Sequence, residues 1–210
     1  FKETIDQTLC SLNKHSVVVD ERIKLCHGDG STFKMLKLLK GLVKQNEYDL
    51  VHIHNGLTGI IFILALFPFR LALLRKTVFT LHTSFNLLSL RNKLLVMLTM
   101  FVASKVCPCS KSSLNSIPRW FAHLIQDKIF LIVNGFNHER IDLIKNGDVS
   151  DRLFSADCGL KLVCIGSFSD NKNQASILAA VDNLTTRGEL IFLGDGPNKK
   201  SLEALAKKST

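Results

Sequence analysis

The sequence predicts an α/β protein built on parallel sheets, and three observations support the prediction. Short apolar runs rich in β-branched residues alternate with longer segments whose apolar residues recur at helical spacing. Asn-Gly turns between alternating strand patterns, which would indicate hairpins, are lacking. The chain has 210 residues, enough for one large domain or two small ones. Such alternation is typical of βαβ units, in which helices cover a parallel sheet.

Each predicted element follows from its local pattern. Seven segments have the composition of strands: Ser16–Val19, Asp49–His54, Thr77–Leu81, Lys105–Cys109, Lys128–Val133, Lys161–Ile165 and Glu189–Leu193. Helical spacing predicts helices over Phe33–Lys44, Phe136–Ile144, Lys172–Leu184 and Ser201–Lys207. Two apolar stretches fall short of the roughly 20 residues of a membrane span. They are predicted to be buried helices, at Leu57–Phe69 and Leu94–Ala103.

A change of composition divides the chain into two parts. Lys145–Gly159 is polar and weakly patterned, as linkers are. We therefore expect a first domain over residues 1–150 with about five strands. A second domain, over residues 151–210, would hold the order strand, helix, strand, helix.

The charge and the cysteines narrow the class of partner and the compartment. Lys and Arg outnumber Asp and Glu by 27 to 18, so the net charge of +9 favours anionic partners. Nucleic acid is not expected among them, because no binding motif is present and Trp120 and Tyr48 are the only aromatic residues besides Phe. One helix face carries Lys34, Lys37, Lys40 and Lys44, which suits either solvent or an anionic membrane. Six cysteines without a CxxC pair, and no signal-peptide pattern at Phe1–Cys10, predict a reducing cytoplasm.

Polar residues follow the predicted strands, where ligands of parallel α/β sheets bind. These segments are His54-Asn55-Gly56, His82-Thr83-Ser84, Ser110-Lys111, Asn134-Gly135, Gly166–Lys172 and Gly194–Pro197. In Gly166–Lys172, a Gly-Ser turn would admit a phosphate to a helix that opens near Asn171, with Lys172 in its first turn. The same segment also fits an ordinary capped helix with a solvated lysine.

The histidines allow more than one interpretation. His52 and His54 share one strand face at a spacing that can chelate a metal, but no carboxylate or cysteine nearby completes a ligand set, so no metal is expected. At the end of the next strand, His82 suits either a hydrogen bond to a sugar or a structural role. GxSxG, HExxH, Walker A and GxGxxG motifs are absent, so none of these motifs points to its class of enzyme.

Six motifs in order resemble glycosyltransferase family 4, which has the GT-B fold. Tyr48–Asn55 is similar to "pDvVHvHn", Thr80-Leu81-His82 to "vvTvHd" and Cys109-Ser110 to "vis-vS". Further along, Ile132–Asn137 is similar to "vIpNGvD", Gly166–Asn173 to "GRlsxeKn" and Gly194–Pro197 to "GdGp". Together the motifs span Tyr48 to Pro197, most of the chain.

The resemblance implies a GT-B-like arrangement of two Rossmann-like domains with parallel sheets, facing a cleft. Such enzymes move a sugar from a nucleotide-sugar donor to a glycan or lipid-linked acceptor, usually with retention and without a metal or cofactor. The matched His82 would be catalytic, beside the transferred sugar. Donor binding falls to Gly166, Ser167, Lys172, Asn134 and Gly135, and the acceptor side to His54, Asn55 and Thr83. Surface polysaccharide or lipopolysaccharide assembly, in the cytoplasm or peripherally on the inner face of the membrane, is the expected setting.

The chain also departs from the family pattern. Ser167 stands where the family has an arginine, so one diphosphate contact is lost or moved. The family's first strand and glycine-rich loop are expected before Phe1, with only the following helix present near Phe1–Leu12. Its paired glutamates are expected beyond Thr210, which leaves the second domain incomplete and predicts a fragment inactive on its own. Two alternatives stay open: an inactive or truncated α/β nucleotide-binding module, and a nucleotide-sugar epimerase of the same fold.

Overall fold

The computed structural model describes residues 5–14, 21–135, 138, 154–155 and 159–208. It divides into two compact units, Phe1–Gly135 and Phe136–Thr210. The predicted α/β architecture is confirmed, because every strand pair in the described residues is parallel. The predicted strand Ser16–Val19 and the boundary at residue 150 lie outside the described residues. The helix at Phe136–Ile144 and the linker Lys145–Gly159 lie largely outside them, and all four stay predictions.

The first unit alternates strands and helices. Its strands are β1 (Gln7–Ser11), β2 (Ile23–His27), β3 (Val51–Ile53), β4 (Thr77–Leu81) and β5 (Lys105–Pro108). Its helices are α1 (Thr32–Gln45), α2 (Gly56–Leu66), α3 (Leu90–Val102), α4 (Lys111–Asn115) and α5 (Arg119–Leu124). Short 3₁₀ turns lie at Leu71–Lys76, Phe85–Leu87 and Gln126–Lys128.

The strands of the first unit form two described sheets. β1 pairs with β2, and β3, β4 and β5 form a second sheet in that order. Val51 is the partner of Thr77, and Val78 is the partner of Lys105, so the three strands end at the same edge. The predicted strands Asp49–His54, Thr77–Leu81 and Lys105–Cys109 are therefore confirmed with small changes at their ends.

Side-chain caps fix where the helices begin. Ser31, Asn55, Ser89 and Ser110 each accept a hydrogen bond from a backbone N–H in the first turn of α1, α2, α3 and α4. In α1 the inner face consists of Met35, Leu39 and Val43, four residues apart, which confirms the helical spacing that predicted Phe33–Lys44.

The two long apolar stretches are helices, but only one of them is buried as predicted. α2 has buried residues on several sides, among them Ile61, Phe62 and Leu66. α3 buries Val96, Thr99 and Met100, whereas its opposite face is open and Leu94 is 60% exposed. Among the described helices, none has the length and apolarity that crossing a membrane requires.

Two sequence predictions for the first unit need correction. The predicted helix near Phe1–Leu12 is wrong, since Gln7–Ser11 is a strand paired with Ile23–His27, which the sequence did not reveal. Lys128–Val133 is not a regular strand. It begins with the 3₁₀ residue Lys128, and a single bridge joins Ile129 to Val106.

Pro108 explains why this ladder stops. Phe130, Ile132 and Asn134 donate N–H groups to the carbonyls of Val106, Pro108 and Cys109, so the segment runs beside β5. The next return bond would come from the N–H of Pro108, which proline lacks.

The second unit is a smaller parallel pair with two helices. β6 (Leu160–Ile165) pairs with β7 (Gly188–Leu193) along all six residues. α6 (Gln174–Asp182) follows β6, and α7 (Lys199–Ala206) follows β7. Leu178, Leu202 and Phe168 are the buried apolar side chains described in this unit. The predicted strands Lys161–Ile165 and Glu189–Leu193 are confirmed, as are helices close to the two predicted positions.

Candidate active site

A row of polar side chains lies where β3 and β4 end. His52 Nε2 is 2.7 Å from the Thr80 hydroxyl, and His54 Nδ1 is 2.8 Å from His82 Nε2. The rings of His52 and His54 are also in contact, with centroids 4.0 Å apart. These side chains project from one face of two parallel strands, because residues two apart in a strand share a face. The structure thus brings together His54 and His82, which the sequence placed in separate motifs.

The hydrogen bond between the two rings limits their charge. One ring nitrogen must donate a proton and the other must accept it, so the pair holds at most one extra proton while the bond is intact. Partial burial, together with the neighbouring His52 and His82 rings, lowers the pKa of His54. Burial and His82 likewise lower the pKa of His52. His52 and His54 therefore favour the neutral imidazole, which can both donate a hydrogen bond to a bound hydroxyl group and accept one from it.

Helix α2 begins two residues after His54 and helps to fix its position. Asn55 caps the helix through a 2.8 Å bond from the N–H of Leu57 to Oδ1. Gly56 and Gly59 let α2 approach α3 closely, because a Cβ on Gly59 would overlap the Thr99 side chain. The Thr99 hydroxyl lies 3.1 Å from the carbonyl of Gly56, so the start of α2 is tied to α3.

The neighbouring strand ends extend this edge. Beyond β4, the hydroxyls of Ser84 and Ser112 are 3.1 Å apart. Beyond β5, Cys109 places Sγ 3.5 Å from the carbonyl of His82. The N–H of Asn134 donates to the carbonyl of Cys109 at 3.2 Å, which brings Asn134 to the end of the same sheet. Thr83 and Gly135 are exposed there.

The second unit presents two interlocked loops beyond β6 and β7. The N–H of Gly166 donates to the carbonyl of Leu193, and the N–H of Phe168 donates to the carbonyl of Asp195. Gly194 must be glycine, because a Cβ there would overlap the carbonyl oxygen of Gly166. The Phe168 side chain is buried and contacts Phe192 of β7, which fixes the loop after β6 to the sheet.

Lys172 lies over Gly166, although its local structure differs from the prediction. A Cβ on Gly166 would lie 3.6 Å from Cε of Lys172, so the lysine side chain passes over this glycine. The predicted place of Lys172 in the first turn of the helix is wrong, because Asp170–Lys172 forms a 3₁₀ turn. Asn173 then adopts a left-handed conformation at φ 48°, and α6 begins at Gln174.

Ser167 supports this loop through its backbone. Its carbonyl accepts a 2.8 Å bond from Nε2 of Gln174, a buried side chain. Its hydroxyl is 3.3 Å from that of Ser169 and exposed.

Sequence reasoning missed Thr80, Cys109 and Ser112 as members of the first unit's edge. Thr80 lies two residues before His82 on the same strand face, and this spacing was available in the sequence. Contacts of Ser112 and Cys109 depend on the sheet register, which the sequence does not contain. Within the described residues, no group of three His, Cys, Asp or Glu side chains is arranged to hold a metal ion.

Comparison with protein-family models identifies the family of the chain. A search of curated proteins finds no relative of the chain. The sequence model described as Glycosyltransferase Family 4 matches residues 13–140. This range contains His54, Asn55, His82, Thr83, Asn134 and Gly135, whereas Gly166, Ser167 and Lys172 lie beyond it. Because the match covers more than half of the 210 residues, and the matched part is a parallel α/β unit with polar strand ends, this protein belongs to glycosyltransferase family 4.

Proposed function

We propose that the protein transfers a sugar from a nucleotide-sugar donor to a hydroxyl group of a glycan or lipid-linked acceptor, with retention at the anomeric carbon. Family membership supports sugar transfer in general. The observation that carries the finer proposal is the 2.8 Å hydrogen bond between His54 and His82 at two adjacent strand ends. In the reaction, the bond from the anomeric carbon to the diphosphate breaks. A bond to the acceptor oxygen forms on the same face, and the diphosphate takes up the acceptor's proton.

His82 is the proposed catalytic residue, beside the transferred sugar. A neutral imidazole can accept a hydrogen bond from a sugar hydroxyl or donate one to it. His54 is a positioning residue in this proposal, because its Nδ1 is hydrogen-bonded to His82 Nε2, which orients the His82 ring and couples the tautomers of the two rings. Asn55 and Thr83, at the same strand ends, are assigned to the acceptor side.

The donor diphosphate is assigned to the loop that follows β6. The Lys172 side chain runs over Gly166 and is exposed, so its ammonium group is available to an anion. It would offset the negative charge that develops on the leaving nucleotide, without a metal or organic cofactor. Ser167 is assigned to the same site, and Asn134 and Gly135 to the donor side of the first unit.

The proposed setting is the cytoplasm, on a pathway of surface polysaccharide or lipopolysaccharide assembly. The net charge of +9 supports contact with the anionic inner face of a membrane, where a lipid-linked acceptor would be presented.

A hydrolysis screen of the protein against a panel of nucleotide sugars tests this function. Release of a nucleoside diphosphate from one donor supports it, and NMR of the product sugar reports the anomeric configuration. In the His82→Ala variant, we expect turnover to fall more than donor affinity. Equal losses of both would assign a structural role to His82, and conversion of the donor to an epimer would replace the transferase by an epimerase.

Calorimetry with the nucleoside diphosphate released in that screen tests the donor site. Lys172→Ala should weaken binding by about 1.5–3 kcal/mol, the range for a charge-assisted hydrogen bond. The control is Lys207→Ala, which removes an exposed lysine of the same unit just after α7. Unchanged binding in Lys172→Ala, or an equal loss in both variants, would contradict the assignment.

A further inference from the structure

The outer face of α3 carries an apolar stripe that none of the described residues covers. Its members recur every three or four residues from the preceding turn to the end of the helix. They are Leu87, Leu90, Leu94, Leu98 and Phe101, exposed by 79, 76, 60, 52 and 49%. We name these five residues the α3 stripe. Since a helix turns about 100° per residue, the four members within α3 fall on one side of the helix, opposite the buried Val96 and Met100, and Leu87 lies in the 3₁₀ turn just before it.

The stretch of chain around the stripe is strongly cationic. Residues 50–128 contain one carboxylate, Asp127, and nine Lys or Arg, whereas the protein as a whole has 18 acidic residues. Arg91 and Lys93 lie in α3 itself. At its other end, Lys128 Nζ donates a 2.7 Å bond to the carbonyl of Phe101 and lies 5.6 Å from that ring's centroid. Apolar side chains are thus bordered by cations at both ends of the helix.

This combination identifies the partner by its chemistry. An amphipathic helix with leucine and phenylalanine on one side and cations beside them lies in the interface of an anionic bilayer. Its apolar side chains enter the acyl boundary while the lysines reach the headgroups. A second copy of the chain would bury the apolar side chains, but it would also bring Arg91, Lys93 and Lys128 close to the same cations of the other copy, which repel them. The 13 residues of α3 cannot cross a bilayer, so the helix would lie along its surface.

The basic face of α1 lacks the features that make the α3 stripe suitable. Phe33, at the start of α1, is its one strongly exposed large apolar residue, at 75%. Lys34 is already bonded to Asp29 at 3.3 Å, so part of the charge is neutralised within the protein. Lys37, Lys40 and Lys44 are exposed, and we expect this face to be solvated.

We propose that the α3 stripe is a docking surface for anionic lipid bilayers. The inference deepens the proposed membrane contact by naming the surface that makes it. It does not depend on the donor or on catalysis, so it can be tested without a substrate.

The test is flotation of the protein with vesicles, comparing phosphatidylcholine alone with phosphatidylcholine containing about one third phosphatidylglycerol. We expect binding to the mixed vesicles only, and weaker binding at high salt. The double variant Leu94→Glu/Leu98→Glu should weaken binding about tenfold or more, because two apolar side chains no longer enter the bilayer and two negative charges face it.

The matched control is Lys37→Ala/Lys40→Ala on α1, which changes the net charge by the same two units. It should retain most of the binding. Leu94→Ser/Leu98→Ser removes apolar surface without adding charge, and it should also weaken binding. Circular dichroism tests whether each variant is folded. If the Leu94→Glu/Leu98→Glu variant does not fold, the Leu94→Ser/Leu98→Ser variant provides the test of binding.

Three results would overturn the inference. If the wild-type protein does not bind the mixed vesicles, the proposed membrane contact is wrong. Loss of binding in the α1 variant but not in the stripe variants would move the contact to α1. A wild-type dimer in solution that the serine pair converts to a monomer would show that a second copy covers the stripe.

Discussion

The crossing of α2 and α3 gives a sharp test of how the site is held. Substituting Gly59 with alanine places a methyl group in α2 where a Cβ overlaps Cγ2 of Thr99 and lies 2.7 Å from its hydroxyl oxygen. Thr99 cannot move aside freely. Its hydroxyl lies 2.8 Å from the carbonyl of Leu95 and 3.1 Å from that of Gly56, and its side chain is 1% exposed. The two helices must therefore separate.

The expected magnitude follows from two opposing effects. Alanine is a better helix former than glycine by about 1 kcal/mol. Overpacking a tight contact costs about 1–3 kcal/mol, and a side chain fixed by two hydrogen bonds favours the upper part of that range. We therefore expect Gly59→Ala to lower the free energy of unfolding of the first unit by about 1–2 kcal/mol.

A second helical glycine supplies the control. Gly41 lies inside α1, and among the described residues no atom beyond its chain neighbours and the surrounding helix backbone lies within 4 Å of a Cβ built on it. Gly41→Ala should therefore raise the free energy of unfolding by about 0.5–1 kcal/mol, through helix propensity alone. The same substitution thus has opposite signs at the two positions, which removes any general effect of alanine.

Urea denaturation followed by tryptophan fluorescence measures both variants. The chain has a single tryptophan, Trp120 in α5, so the signal reports the first unit. In the Gly59→Ala background, Thr99→Ser removes the overlapping methyl group but keeps the hydroxyl, and it should recover part of the loss. A Gly59→Ala midpoint at or above that of the wild type would refute the tight crossing and, with it, the account of how α2 holds His54.

Three further predictions concern titratable groups in the first unit. The folded-state pKa values of His52 and His54 are lowered, so the unfolded chain binds more protons than the folded chain in acid. The free energy of unfolding should therefore be highest above about pH 6.5 and fall as the pH drops. Urea midpoints measured across pH should show a less steep fall in His54→Asn than in the wild type. Replacing His82 with phenylalanine removes a neighbouring imidazole whose Coulombic repulsion lowers the pKa of His54. This pKa should therefore rise in an NMR titration, and an unchanged or lower value would contradict the ring contact. Burial and the neighbouring Cys26 raise the pKa of Cys10 to about 11. The rate at which iodoacetamide alkylates Cys10, followed by mass spectrometry, should therefore rise about tenfold per pH unit through alkaline pH. A rate that reaches a plateau near neutral pH would be inconsistent with this pKa.

The sequence predicted the elements whose patterns are strong and missed those that depend on pairing. Thr77–Leu81 alternates buried and half-buried residues, and its bounds were predicted correctly. Gln7–Ser11 and Ile23–His27 carry polar residues between few apolar ones and are partly exposed, so neither has a pattern that identifies it alone. Each becomes a strand because the other lies beside it, with Cys10 opposite Cys26. Pairing between segments far apart in the chain is not contained in local periodicity.

The candidate site shows the same division. Alternation along a strand was enough to put His52 and His54 on one face, and to place His82 at the end of its strand. Which of them meet depends on the register. The backbone pairs Ile53 with Phe79, whereas the side chains meet diagonally, so that His54 reaches His82 rather than Thr80.

The register that creates the histidine contact is fixed by the core beneath it. Ile53 and Phe79 are 6% and 1% exposed, and they point to the sheet face opposite the one that carries His52, His54 and His82. A slip of β3 by one residue would turn His52 and His54 into the core and expose Ile53, because side chains alternate between faces. The cost of burying two imidazoles and exposing an isoleucine excludes that arrangement. The buried residues, which touch no ligand, thus determine that His54 and His82 lie within hydrogen-bonding distance.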